Sequence, residues 1–331
     1  MGRLYHLLLS LAAVLLAALP ACQKASDSKE GGAGSKELTV IFGTQGLNDL
    51  VYNDLIQKGV MAAQAGCPEL VLHPKAPASL SEARSLVSAW KASTVKDKAL
   101  VLCGREYESL VDGLDAGTGR VLLLDSGKSV GSGCSSARIK RYGTAWLAGA
   151  LLKDKAPVLV KDPDGDPVMD LLARGFEDGY KENGGEKLDT ITPETELLQA
   201  LYQYGKWYSA QEQIIVPACG ALQFEAFLYI NHQVQNALGM GTDFSYQSDR
   251  IPFSLSVDLT GIVQKYITDW ARDIPWEQQA EFGLSTGHVA IIYNKRYFER
   301  GGAAFPQKSA LEQLYAQFYS QALEKEAAHE N

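Results

Sequence analysis

The sequence predicts an α/β protein of two lobes, with parallel sheets covered on both faces by helices. The first observation is an alternation: from residue 37 onward, short apolar runs rich in β-branched residues alternate with stretches of helical periodicity. The second is the number of strands: about ten predicted strands are more than one twisted parallel sheet usually holds, so they divide into two lobes of about five strands each. The third is length, since 331 residues favour two domains over one. The predicted strands span 38–42, 70–73, 99–103, 121–125, 158–161, 190–192, 214–218, 238–241, 253–257 and 289–293.

The predicted helices carry apolar stripes that would pack them against the sheets. In the first helix, Leu47, Val51 and Leu55 recur at helical spacing. The last helix is predicted over 309–327, where leucines and a phenylalanine form the apolar side. Its charged end, 324–330, is expected to be frayed.

Composition and charge limit the classes of function. Hydrophobic residues make up 46% of the chain and charged residues 21%, the ordinary composition of a protein with a full core. The formal net charge of −8 argues against nucleic acid as a partner, because phosphate-backbone binders usually carry a basic face. The five histidines form no metal-binding motif, and no cysteine pair has the C-x-x-C spacing of a zinc or redox site. No metal and no cofactor are therefore expected.

Residues 1–22 are predicted to be a targeting signal and not part of the fold. A positive residue is followed by an apolar stretch over 7–19, which is typical of a secretory signal and too short for a membrane span. The segment LPAC that ends at Cys22 is similar to a bacterial lipobox, in which the cysteine thiol receives a lipid. Residues 23–36 have no apolar side chain larger than alanine, so they are expected to form a flexible tether.

Four cysteines remain in the body of the chain once Cys22 is set apart. Cys103 and Cys219 lie in apolar, strand-like runs, which favours buried thiols. Disulfides among these two, Cys67 and Cys134 stay open as the alternative in an oxidising compartment.

The loop after the first predicted strand carries candidate ligand-binding residues. In open α/β sheets, ligands bind beyond the carboxyl ends of the strands. The glycines of segment 43–46 allow a tight turn there, and Asn48 or Asp49 can cap the helix that follows. Tyr52 and Asn53, like Asp49, lie off the apolar stripe at one end of this helix. Asp49, Tyr52 and Asn53 are therefore expected to face the crevice.

The segment GLNDLVYNDLIQKG, residues 46–59, carries a family resemblance. It resembles the motif D-x-G-G-x-x-D-x-x-F-N-Q of the basic membrane lipoprotein family, whose members include purine nucleoside receptors. Asp49 and Asn53 match this motif, whereas Tyr52 replaces its phenylalanine. Further matches follow in order at the strand that ends in Asp125 and in the segments YGTAWLAG, ARGFEDGY, ACGALQFEA and GTD.

The resemblance implies a two-lobed type I periplasmic-binding-protein fold with three hinge crossings. By this analogy, lobe 1 holds residues 37–140 plus 246–275, and lobe 2 holds residues 141–245 plus 276–331. The division is carried over from the family and does not follow from any periodicity of the chain.

The resemblance also implies roles for individual side chains. In the family, the aromatic at the position of Tyr52 stacks on a purine base, and a second aromatic, here Phe224, closes the other side. Asn53 would bond to the base, and acids at Asp125 and Asp243 would bind or orient ribose hydroxyls. Such a set suits a nucleoside, which offers a flat π-face, a polar base edge and vicinal hydroxyls.

The expected protein is therefore a lipoprotein of the bacterial cell envelope, held to a membrane by its N-terminal lipid. It would capture a nucleoside, with purines favoured, and deliver it to the permease of an ABC transporter. Two departures from the family concern the ligand: Gly43 replaces an acidic residue, and segment 254–259 lacks a lysine found there in many members. Two alternatives stay open, namely another small polar ligand such as a sugar or signal molecule, and a surface antigen with a degenerate pocket.

An enzymatic alternative rests on segment 127–131, which matches the G-x-S-x-G pattern of a nucleophile elbow. That elbow needs a helix directly after the serine, but residues 132–136 read SGCSS and are poor helix formers. The segment is therefore interpreted as a loop, and the chain is not expected to be an enzyme.

Overall fold

The computed structural model describes residues 36–114, 117–193, 197–204, 213–233, 235–302 and 304–329. The strands are β1 Glu37–Ile41, β2 Val71–Lys75, β3 Lys98–Cys103, β4 Arg120–Leu124, β5 Cys134–Ile139, β6 Ala156–Lys161, β7 Asp189–Ile191, β8 Gln213–Ala218, β9 Asn236–Ala237, β10 Gly239–Gly241, β11 Phe253–Val257, β12 Gln279–Phe282 and β13 Val289–Tyr293. The helices are α1 Tyr52–Gly66, α2 Leu80–Ala92, α3 Tyr142–Leu151, α4 Pro167–Glu182, α5 Leu197–Tyr204, α6 Gln223–Gln233, α7 Leu259–Ala271, α8 Lys295–Glu299 and α9 Lys308–His329. Residues 1–35, and with them the predicted signal, the Cys22 lipidation site and most of the tether, lie outside the described residues.

The largest sheet has six strands in the order β12-β5-β4-β3-β1-β2. Each of its strand pairs is parallel. Its central strand β3 is buried along its whole length, as expected of a parallel strand covered on both faces. One face packs on a cluster that includes residues of α1 and α7, and the other on a cluster that includes residues of α2. The predicted α/β class is confirmed here.

The described residues form two further, smaller sheets. One has four parallel strands in the order β7-β6-β8-β9. The other has three strands in the order β10-β11-β13, in which β11 pairs antiparallel with β13. Strand pairing departs from the predicted lobe boundaries at two places, because β11 joins strands assigned to lobe 2 and β12 joins the six-stranded sheet assigned to lobe 1. The lobe division itself stays a prediction.

Strands β5 and β12 were not among the predicted strands. The sequence of β5, CSSARI, lacks a β-branched apolar run, yet Ser135 and Ser136 are buried in the sheet. The sequence of β12, QAEF, is short and lies at a sheet edge. Tertiary pairing, rather than local propensity, therefore decides both strands.

Helices α3 and α4 cross in close contact at two glycines. A Cβ atom added to Gly149 would clash with the carbonyl oxygen of Phe176. A Cβ atom added to Gly179 would clash with the carbonyl oxygen of Trp146. All ten residues of α3 are buried, so this helix forms the centre of its cluster.

The C-terminal helix α9 stays ordered through the charged segment that was expected to fray. Glu326 is only 3% exposed, and its carboxylate accepts hydrogen bonds from the backbone N–H groups of Leu284 (2.8 Å) and Ser285 (3.4 Å). The ring of His329 stacks on Tyr142 with centroids 4.2 Å apart. The prediction of a frayed end is therefore wrong for residues 324–329, because these charged side chains have buried partners, whereas residue 330 lies outside the described residues.

The four described cysteines, Cys67, Cys103, Cys134 and Cys219, are all buried and free. The interpretation as buried thiols is thus confirmed against the disulfide alternative. Among the described residues, no helix is long and apolar enough to cross a membrane.

Candidate functional site

A cavity of about 350 Å³ lies where the carboxyl ends of strands from different sheets converge. Segments that follow β1, β3 and β4 supply one part of its wall. Segments that follow β6 and β8, together with the last residue of β10, supply another. This is the position at which α/β sheets bind ligands. The lining residues are Gly43, Gln45, Asp49, Val51, Tyr52, Asn53, Cys103, Gly104, Arg105, Glu106, Asp125, Arg141, Asp166, Pro167, Val168, Met169, Leu172, Gly220, Ala221, Gly241, Val257 and Leu259.

Asn53 lines the cavity but uses its amide to hold the loop after β1. Its Oδ1 accepts a hydrogen bond from the N–H of Gly43 at 2.9 Å, and its Nδ2 donates to the carbonyl of Gly46 at 2.7 Å. Asn53 is 1% exposed. A Cβ atom at Gly43 would lie 3.3 Å from Asn53 Oδ1, so glycine lets the loop close on the amide. The geometry gives Asn53 a positioning role.

Asp49 caps α1, as one of the two predicted caps. Its carboxylate accepts hydrogen bonds from the backbone N–H groups of Val51 (3.0 Å), Asn53 (2.7 Å) and Asp54 (3.2 Å). These are groups that a helix start leaves without intrahelical partners. The flanking residue Leu50 has a φ of +59°, a left-handed conformation that costs a leucine roughly 1–2 kcal/mol. The Asp54 carboxylate holds it by accepting from the N–H of Leu50.

Tyr52 lines the cavity next to the charged groups. Its hydroxyl oxygen is buried and has no hydrogen-bond partner in the described structure. The residue as a whole keeps partial exposure, so the surface that it offers to the cavity is not the hydroxyl. Burial raises the pKa of Tyr52 well above its usual value, and the nearby Asp125 carboxylate raises it further. Tyr52 is therefore a neutral aromatic wall.

Asp125 and Arg141 form a buried ion pair in the same wall. The two guanidinium nitrogens Nη1 and Nη2 donate to Oδ1 and Oδ2 at 2.7 and 2.8 Å, a bidentate arrangement. Both side chains are 6% exposed. Asp125 follows β4 with a φ of +61°, which turns the chain at the strand end. Its carboxylate is thus committed to Arg141.

The wall built by the smaller sheets is mainly apolar. Val168, Met169 and Leu172 come from the first turns of α4, Gly220 follows β8, and Gly241 is the last residue of β10. The cavity therefore has one polar side, which carries an aromatic ring, and one apolar side. Such a mixture of apolar walls and a few fixed polar groups is typical of small-molecule sites.

Phe224 and Asp243 do not line the cavity, unlike the other four residues predicted to bind ligand. The ring of Phe224 packs edge-on against Phe227 and Phe244, with centroids 5.9 and 5.7 Å apart. Asp243 accepts a hydrogen bond from the N–H of Ser245 at 2.9 Å, which stabilises a turn. Phe224 is thus part of an apolar cluster, and Asp243 shapes the turn after β10.

Four lining residues that carry chemistry were not predicted: Arg105, Glu106, Arg141 and Asp166. Arg141 follows β5, whose sequence lacks the pattern of a strand, so nothing in the sequence marks Arg141 as lying at a strand end. Asp166 was readable in principle, because an aspartate directly before a proline is a typical helix start. Arg105 and Glu106 follow the apolar run of β3, so they carry the same sequence signal as the polar residues after β1 and β4.

The remaining chemical motifs give no second site. Segment 127–131 lies in the loop between β4 and β5, and strand rather than helix follows it, so the interpretation as a loop is confirmed. Within the described ranges, no group of three or more histidine, cysteine or acidic side chains could hold a metal ion.

The comparisons with known proteins define the fold class. No protein-family model matches the chain, and no curated protein matches it. The solute-binding protein of an ABC transporter system from Aeropyrum pernix K1 is similar in structure, with a TM-score of 0.65, 15% identity and coverage of 88% of this chain and 90% of that one. This likeness, together with the parallel sheets flanked by helices, shows the fold of type I periplasmic binding proteins.

Two further solved structures share this fold. A transcriptional activator of the comK gene from Bacillus halodurans has a TM-score of 0.63 at 13% identity, covering 86% of this chain and 96% of that one. An ABC transporter solute-binding protein from Bacillus halodurans C-125, with bound myo-inositol, has a TM-score of 0.60 at 11% identity, covering 82% and 98%. The resemblance to the basic membrane lipoprotein family stays a prediction.

Proposed function

We propose that this chain is a lipid-anchored binding protein that captures a nucleoside in the cavity and delivers it to an ABC transporter. The observation that carries the proposal is Tyr52, an aromatic wall whose buried hydroxyl leaves other parts of the residue to face the ligand. Met169 and Leu172 lie among the opposing residues, so a flat ring can be held between apolar surfaces. Each base stacked on an aromatic side chain contributes about 1–3 kcal/mol.

The size and position of the cavity support the same proposal. A volume of about 350 Å³ lies within the range of small-ligand sites, which is roughly 300–1,000 Å³. Such a cavity speaks against an antigen whose pocket has degenerated. The fold is one that solute-binding proteins of ABC transporters use, and one of these similar structures holds bound myo-inositol, a small polyol. A polyol is therefore the ligand class against which nucleosides are to be compared.

The ligand is tested by thermal denaturation of the full chain in detergent, with adenosine, guanosine, inosine, cytidine, uridine, ribose and myo-inositol as probes. We expect a concentration-dependent rise in Tm with a purine nucleoside, because a ligand that binds only the folded state stabilises it. Tyr52→Ala should abolish this rise, Tyr52→Phe should retain it, and Tyr246→Ala, which alters an exposed tyrosine outside the cavity, should leave it unchanged. A rise with ribose or myo-inositol alone would refute the nucleoside proposal.

The anchor is tested separately by labelling cells with radioactive palmitate. The full chain should incorporate label and sediment with membranes, because two or three acyl chains give stable anchoring. Cys22→Ser should incorporate no label, whereas Cys67→Ser, at a buried thiol, should incorporate as much as the unaltered chain. Label that persists in Cys22→Ser would exclude that residue as the lipidation site.

A further inference from the structure

The helix start on the apolar side of the cavity has no backbone donors left for a ligand. The N-terminus of a helix ordinarily binds anions, because its first N–H groups are unpaired. In α4, the Asp166 carboxylate accepts from the N–H groups of Val168 at 2.7 Å and Met169 at 3.3 Å. Pro167 has no N–H group, and the N–H of Asp166 itself donates to Asp162 at 2.9 Å. A carboxylate thus stands where a phosphate would otherwise bind.

Side-chain oxygens also accept hydrogen bonds from the backbone N–H groups of the loop after β1, on the opposite wall. Asp49 takes the N–H groups at the start of α1. In the glycine turn, the N–H of Gly43 donates to Asn53 at 2.9 Å, and the N–H of Thr44 donates to Glu106 at 2.7 Å. Glycine turns with free N–H groups form anion-binding nests, and here side-chain oxygens fill that role.

The charges that line the cavity add to this effect. Four carboxylates, those of Asp49, Glu106, Asp125 and Asp166, stand against two guanidinium groups. Arg141 is bound bidentately by one of these carboxylates. Arg105 and Glu106 are both exposed, so solvent and salt screen their opposite charges alike. Asp49 and Asp166 therefore leave the lining with a net negative charge.

We infer that the cavity discriminates against anionic ligands, and that Asp166 and Asp49 determine this specificity from opposite walls. The site admits an uncharged or cationic molecule and rejects its phosphorylated or carboxylated counterpart. The inference rests on the proposed role of the cavity as a ligand site, and it limits the ligands of that site to uncharged or cationic compounds.

The potential in the cavity can be measured without knowing the ligand. Met169→Cys places a reporter thiol on the cavity wall, and Met61→Cys places one on an exposed helix surface. Each full-length variant is treated with methanethiosulfonate reagents that carry either a trimethylammonium or a sulfonate group, and the rates of the parent chain are subtracted. The ratio of cationic to anionic rates should be about fivefold higher at the cavity position. An equal or lower ratio would overturn the inference.

A matched pair of variants tests the assignment to Asp166. Asp166→Asn keeps a side chain that caps helices well, while it removes one charge from the cavity. Asp164→Asn removes the same charge from an exposed position that does not line the cavity. In the Met169→Cys background, only Asp166→Asn should lower the rate ratio. An equal effect of both variants would contradict a role for Asp166.

Calorimetry with adenosine and adenosine 5′-monophosphate separates the two proposals. We expect adenosine to bind at least tenfold more tightly, and Asp166→Asn to narrow this difference. If the monophosphate binds as well as adenosine, nucleoside capture stands and charge selection fails. If neither binds, nucleoside capture fails, while the thiol rate ratio still decides whether the cavity repels anions.

Discussion

Asp125 and Arg141 form the ion pair on which the polar wall of the cavity depends. Both groups are nearly inaccessible to solvent, and the bidentate geometry satisfies both carboxylate oxygens. Removal of one partner from such a pair leaves an uncompensated buried charge, which is far more costly than the loss of the attraction itself. The pair therefore fixes the wall only as long as both partners are present.

Asp125→Asn should lower the free energy of unfolding by about 3–5 kcal/mol, because it removes the carboxylate charge that faces the buried Arg141 guanidinium. Asparagine tolerates the left-handed backbone at this position, so the change isolates the effect of charge. Asp112→Asn breaks an exposed pair with Lys128 and should cost no more than about 1 kcal/mol. Urea denaturation of both variants checks this, and equal costs would show that the buried pair has no special weight.

At the level of single residues, the sequence located part of the site. Asp49 and Tyr52 could be predicted from the sequence, because they lie off the apolar stripe of a helix that follows a strand. The role of Phe224 could not be predicted, because an aromatic residue in a helix gives the same sequence pattern whether its ring packs on Phe227 or on a ligand. The hydrogen bonds of the Asn53 amide to backbone groups could not be predicted from the sequence either, because they depend on a loop that folds back over the amide.

Helices α3 and α4 cross so closely that only glycine fits at Gly149 and Gly179. At Gly149 a side chain would meet the backbone carbonyl of Phe176, which cannot move aside as a flexible side chain could. This contact holds the apolar wall, because the first turns of α4 carry Met169 and Leu172. The shape of the cavity thus depends on residues far along both helices.

Gly149→Ala should lower the free energy of unfolding by at least about 1–3 kcal/mol, as overpacking of a filled core does. Gly66→Ala is the matched control, because a Cβ atom at this helix end would meet nothing within 4 Å. The control should be neutral or stabilise by about 0.4–1 kcal/mol. Thermal and urea denaturation of both variants measure the difference, and an unaffected Gly149→Ala would show that the helices can separate.

Most elements followed from periodicity, and the exceptions have a common cause. Strands such as β3 and β8 are continuous apolar runs, which buried parallel strands require. Strand β5 instead buries two serines, and β12 is a short edge strand, so neither carries the pattern. The pairing of β11 with β13 could not be predicted either, because antiparallel pairing joins segments whose order along the chain gives no signal.

Across the whole molecule, buried tyrosines and thiols make stability dependent on alkaline pH. Burial raises the pKa of Tyr52, Tyr107, Tyr142, Tyr266 and Tyr293, as it does for Cys103 and Cys219. In the unfolded chain these groups lose protons near their ordinary pKa values, about 8.5 for cysteine and about 10 for tyrosine. Above those values the unfolded state binds fewer protons than the folded state, so stability falls as pH rises.

The free energy of unfolding should therefore start to decline above about pH 8.5 and fall more steeply above about pH 10. Urea midpoints between pH 7 and pH 11 give this profile. Exposed tyrosines such as Tyr246 ionise in the folded protein, so phenolate absorbance should rise in two steps. The second step should coincide with the loss of helical circular dichroism, because the buried hydroxyls ionise only when the core opens. Complete ionisation of the tyrosines in a protein that is still helical would contradict their burial.

The hydrogen bonds that Glu326 accepts from Leu284 and Ser285 have a consequence for the order of folding. Leu284 lies in one of the cores, and the carboxylate that its backbone N–H meets lies 42 residues further along the chain. A ribosome adds residues from the amino terminus, so the core around Leu284 can close only after the segment that carries Glu326 has been made.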